Sequence, residues 1–116
     1  MSNDLDEFGE LFMRDVRDTA IHSVKALVSG TLKGETARAL QPRLAALGNR
    51  VTLEEFGVDI VNHVVFKILW FFVAHEEYRL IAPSGRNIAE LSDGLHGEIF
   101  TEDGWIARFS DDPHGM

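Results

Sequence analysis

The sequence contains no cysteine. Disulfide staples, thiolate zinc sites, iron–sulfur clusters and cysteine nucleophiles are excluded together, and the composition suits a reducing compartment, so a cytoplasmic location is expected. Long apolar runs are also missing. The longest, Ile-Leu-Trp-Phe-Phe-Val-Ala at 68–74, falls far short of the roughly 20 residues a membrane-spanning helix needs, and no membrane span is expected. The opening Met-Ser-Asn-Asp-Leu-Asp-Glu has no basic residue where a signal peptide carries positive charge, which argues against secretion by that route. There is no Gly-x-Ser-x-Gly elbow, no Gly-rich phosphate loop ending in Lys-Ser/Thr and no dinucleotide fingerprint. The reading therefore leans away from an enzyme and expects no cofactor. Gly30, Gly34 and Gly48 read as helix punctuation instead of a phosphate cradle.

What is present is enough for one packed domain over residues 1–116. Hydrophobic residues make up 45% and charged residues 26%, an ordinary globular balance that excludes intrinsic disorder. Charge is unevenly placed. Residues 1–50 hold seven acids and seven bases, whereas 51–116 hold twelve acids and four bases, so the net charge of −8 lies in the second half. Within 90–116, Glu90, Asp93, Glu98, Glu102, Asp103, Asp111 and Asp112 face the single base Arg108. Such a surface repels phosphate backbones, which excludes nucleic acid as a partner and favours a basic protein.

Leu5, Phe8, Phe12, Val16, Ala20, Val24, Leu27 and Val28 recur at steps of three and four, predicting a first helix over about 4–29 with Arg14, Arg17 and Asp18 mostly off its apolar face. Asp4 with Glu7 makes a capping-box-like start and Gly30 a left-handed stop. A second helical segment over 32–47 is expected to kink or split near Gln41, because Pro42 lacks the backbone donor. Thr52 with Glu55 reads as a capping box, and Val51 with Phe56 as a hydrophobic staple, for a third helix over 53–78 that becomes apolar on every side. At about 1.5 Å per residue it would be some 39 Å long, more than the roughly 34 Å diameter of a compact domain of this size. It must break near His75 or be covered by another chain. Tyr78-Arg79-Leu80-Ile81-Ala82 reads as a short strand before the Pro-Ser-Gly turn, and 87–93 as a short helix capped by Asn87 or a returning strand. His96 to Phe109 reads as a β-hairpin with Phe100 opposite Trp105, and 111–116 as a frayed tail. The expected fold class is therefore α+β: three helical segments followed by a small antiparallel sheet with a C-terminal β-hairpin.

Three groups of residues suggest chemistry. Glu55, Asp59 and His63 share one side of the third helix at spacings that permit a metal, although no second helix offers matching ligands, so no bound metal is expected. His22-Ser23-Val24-Lys25-Ala26 resembles, over these five residues, the phosphoacceptor helix of histidine phosphotransfer domains, and the resemblance implies a phosphate-accepting His22. Trp105, Phe100 and Phe109 among Glu98, Glu102 and Asp103 form a partner-binding surface of aromatic anchors in an acidic field, unless Trp105 belongs to the core. The expected function is a non-enzymatic protein–protein interaction module, an acidic binder in the style of a small immunity protein or antitoxin, and a homodimer. The alternatives are a small metal-dependent or phosphotransfer protein using Asp59/His63 or His22, and a self-associating structural subunit.

Overall fold

The structure, a computed structural model, describes residues 3–112. Helix α1 (Asp4–Phe12) begins at Asn3, whose side-chain oxygen accepts from the backbone N–H groups of Leu5 (3.0 Å) and Asp6 (3.2 Å). The cap is therefore one residue before the expected Asp4, which sits with Asp6 and Glu7 in the first turn, where the helix dipole favours acids. The helix passes through a π-helical stretch (Met13–Asp18) into α2 (Thr19–Ser29), and Gly30 stops it at φ +84°. A π turn carries an extra residue, so the inward face moves on by one position. Leu5, Phe8 and Phe12 pack on the core, but the buried residues beyond them are Met13, Arg17, Ile21 and Val28. Val16, expected inside, is exposed, and Arg17, expected outside, is 0% exposed.

Helix α3 (Glu35–Ala46) runs through Pro42 without the expected split. Pro42 cannot donate to the carbonyl of Arg38, but Arg38 is an exposed residue, where water can serve instead. Helix α4 (Arg50–Ala74) starts three residues earlier than expected, because the cap is Asn49: its Oδ1 accepts from Val51 N (2.8 Å) and Thr52 N (3.2 Å). Thr52 lies inside the first turn and is no capping box. The helix ends at Ala74, four residues short of the expected 78, as His75 turns to φ −121° and ψ 82°.

The expected sheet is absent. Among the described residues there is no β-strand, only an isolated antiparallel bridge between Ile81 and Asn87 around a turn at Gly85, so the chain is helical and not α+β. Asn87 caps a 3₁₀ turn (Ile88–Leu91) through Ala89 N (3.3 Å), the helical alternative for 87–93. The expected hairpin is instead a 3₁₀ turn (Leu95–Glu98), a tight bend and the short helix α5 (Trp105–Phe109). The burial pattern explains why. Trp105 and Ile106 are neighbours in sequence and both 0% exposed, whereas successive strand residues point to opposite faces. The bend folds back so tightly that a Cβ on Gly104 would lie 2.6 Å from the Glu98 carbonyl oxygen.

The Leu95–Glu98 turn packs on α4, whereas the Ile88–Leu91 turn and α5 pack on α1. Met13, Val65, Leu69, Ile88, Leu95, Ile99, Trp105 and Ile106 form the main core, with Phe8 and Phe12 packed on it. A separate buried set, Ile21, Val28, Ala37 and Val58, lies where α2 meets α3 and α4. The result is elongated, 48 × 28 × 22 Å, and α3 packs on α2, away from the main core. The tail expected to fray is held at Asp111 and Asp112, while 113–116 lie outside the described residues.

Candidate interaction surface

Helix α4 buries only one side. Val58, Asn62, Val65 and Leu69 point into the protein. At 3.6 residues per turn, Phe56, Ile60, Val64 and Phe71 fall on the opposite side, with Ile68 beside them, and these five are 40–65% exposed. Trp70 (44%) borders the patch, and Leu47 and Val51 extend it toward α3. On the order of 500 Å² of apolar side chain faces outward along about 22 Å of helix, as large as the largest patch on a typical monomer. By length and composition alone, α4 is long and apolar enough to cross a membrane. Helix α4 has 25 residues, a mean hydropathy of 1.6 over 18 of them, and 22% of that window buried. Asp59 and Lys67 interrupt its apolar sequence while leaving the average high.

Asp59 and His63 lie on one flank of this patch and Lys67 stands within it beside Ile60, all exposed. No hydrogen bond joins Asp59 to His63, and no group of three or more metal-ligating side chains exists among the described residues, so Glu55, Asp59 and His63 are not drawn together. Lys67 Nζ lies 5.5 Å from the centre of the Trp70 ring.

The acidic C-terminal residues are arranged around a base. Arg108 binds Asp6 through two hydrogen bonds (2.7 and 3.1 Å), and the carboxylates of Glu98 and Asp103 add to the field that holds its guanidinium above the usual arginine range. Glu102 and Asp103 are exposed, Glu98, Phe100 and Phe109 half-buried, and Trp105 fully enclosed against Gly9 and Phe8. Trp105 thus takes the core alternative and is no surface anchor. His22 is exposed on α2, and Lys25, the basic member of its motif, bonds Asp112 at 2.6 Å.

One polar centre had no counterpart in the sequence reading. The buried guanidinium of Arg17 donates to Asn62 Oδ1 (2.7 Å), Asp18 Oδ1 (3.2 Å), Ser110 Oγ (2.8 Å) and the Asp112 carbonyl (2.6 Å). Burial lowers its pKa, while Asp18 and Asp112 oppose that shift. It joins the π-helical stretch, α4 and the C-terminal segment. The row Met13, Arg17, Ile21, spaced by fours, was the available signal.

Compared with protein-family models, curated proteins and solved structures, the chain matches none.

Proposed function

We propose that this protein is a non-enzymatic interaction module whose contact element is the outward face of α4, with another protein as its occupant. The supporting observation is the exposure of Phe56, Ile60, Val64, Ile68 and Phe71 on the side of α4 opposite its buried residues. An apolar face of this size, left in water, is the usual mark of a surface that another molecule covers. The exposed acids Glu102 and Asp103 and the half-buried Glu98 lie in the C-terminal segment, whose Leu95–Glu98 turn packs on α4, and suit a basic partner through long-range attraction.

A photo-crosslinking residue at Ile60, with one at the exposed Arg43 as control, tests the reading in the producing cell. A discrete protein adduct from position 60 and none from 43 is expected. Adducts to lipid only, or no adduct, would contradict it.

A further inference from the structure

The face that carries this proposal has an internal symmetry. Counting outward from His63, Asp59 and Lys67 lie four residues away on either side, and Phe56 and Trp70 seven. Each couple consists of unlike but complementary groups: an acid and a base, a phenyl and an indole. We infer that the occupant of the α4 face is a second copy of this chain, packed antiparallel about a two-fold axis at His63. This rests on the reading that the face meets protein.

In an antiparallel pair related by a perpendicular two-fold axis, the same flank of each helix meets its own counterpart in reverse order. Residue 63 then faces residue 63 of the other copy on the axis, Asp59 faces Lys67 and Phe56 faces Trp70, and each of the last two contacts occurs twice. A parallel pair brings opposite flanks together and forms none of them. Covering the face requires some such arrangement, since Lys67 stands among apolar side chains and forms no ion pair among the described residues. An ammonium covered without a counter-charge costs several kcal/mol, and Asp59, without an ion pair among the described residues, is the acid on the adjoining flank at the matching distance from His63. The area agrees as well. About 500 Å² of apolar side chain per copy, widened by the flanking polar groups, approaches the roughly 800 Å² per partner of a stable interface.

The larger charge distribution favours the same orientation. Residues 19–64, which make the α2–α3 end, carry Lys25, Lys33, Arg38, Arg43 and Arg50 against Glu35, Glu54, Glu55 and Asp59. The remainder, around the main core, holds fifteen acids and six bases. Antiparallel packing sets the weakly basic end of one copy beside the acidic end of the other. Parallel packing sets acid beside acid.

The absence of cysteine makes the geometry testable on the full chain with single substitutions. A short bis-maleimide should join His63→Cys to itself. It should join Asp59→Cys to Lys67→Cys in a mixture far faster than it joins either to itself. Sedimentation of the unmodified sequence should give a dimer at about 100 µM, a concentration that detects all but the weakest association. Asp59→Lys should weaken dimerisation about ten-fold or more, and adding Lys67→Asp should restore it to within about three-fold. Both positions are exposed, so an unchanged circular dichroism spectrum separates lost assembly from lost fold. A 13 kDa particle throughout, preferential joining of 59 to 59, or indifference to Asp59→Lys would overturn the inference. Flotation of the unmodified protein with phosphatidylcholine vesicles, abolished by Val64→Lys, would do so too. A different protein captured at Ile60 by a monomeric chain would sink the second copy yet leave the interaction module standing, whereas lipid adducts would sink both.

Discussion

Gly9 and Trp105 are fitted to one another. A Cβ on Gly9 would stand 2.5 Å from Trp105 Cε2, inside any tolerable contact, and the ring it would strike is fully buried against Phe8. An alanine in a helix ordinarily gains about 1 kcal/mol over glycine. Here overpacking of about 1–3 kcal/mol acts against that gain, so Gly9→Ala should lower stability in a denaturant titration. Trp105→Ala should cost about 3–5 kcal/mol, because a buried indole leaves a cavity. Trp105→Phe should cost well under that, since the indole N–H has no acceptor among the described residues and its loss breaks no bond. A Trp105→Ala variant as stable as the parent would return this side chain to the surface. Arg17 is the polar counterpart. Arg17→Ala removes donors from Asn62, Ser110 and the Asp112 carbonyl at once, and a loss of about 3–5 kcal/mol is expected, with faster proteolysis of the C-terminal segment.

Among the elements, the long helices were legible and the C-terminal third was not. Helices α1, α2 and α4 could be read because apolar residues at steps of three and four fix a face whatever lies around them. The π-helical stretch was not, because one added residue exchanges Val16 for Arg17 without altering local composition. The hairpin reading failed for a related reason. Ile99-Phe100 and Trp105-Ile106 have the β-branched and aromatic character of strands, but their burial follows 3₁₀ and α turns set by the packing of Leu95 against α4 and of Trp105 against α1. At the candidate site, the apolar surplus of α4 was visible in sequence, but which side would remain uncovered depended on where α2 and the 3₁₀ turns dock. Gly57 shows that docking directly. A Cβ there would lie 2.3 Å from Val24 Cγ1, so the glycine lets α2 and α4 approach closely. Valine has one strongly preferred helical rotamer and cannot turn aside cheaply. Gly57→Ala should therefore destabilise by about 1–2 kcal/mol, against the helix-propensity gain, and a stabilised variant would mean that Val24 yields.

Across the whole molecule, the ends of the chain are joined by charge, and charge also distinguishes one end of the 48 Å long axis from the other. Asp6 on α1 accepts two hydrogen bonds from Arg108 on α5, which hold its pKa below the ordinary aspartate range. A lowered carboxylate pKa contributes stability that is fully present above its unfolded value near 4 and is lost as pH falls through the folded value. Both partners are more than a third exposed, so the contribution is below about 1 kcal/mol. Asp6→Asn should lower stability at pH 7 by that amount, and the difference should shrink as pH falls below about 4 and the folded carboxylate becomes protonated. The distribution along the axis makes a stronger demand. If two copies pack antiparallel, unlike ends are adjacent and the two Asp59–Lys67 contacts are attractive, so electrostatics favour assembly despite a net charge of −8 on each chain. Screening shortens to about 8 Å at 0.15 M salt and about 3 Å at 1 M, which removes long-range repulsion between the acidic ends and long-range attraction between unlike ends together. The sign of the salt effect therefore reports which one dominates at contact. Antiparallel packing predicts a dimer that weakens several-fold as sodium chloride rises from about 0.05 to 0.5 M, and less so in Asp59→Asn, where the local pair is gone. A dimer that instead tightens with salt would mean that like charges face one another, and the orientation would have to be reversed.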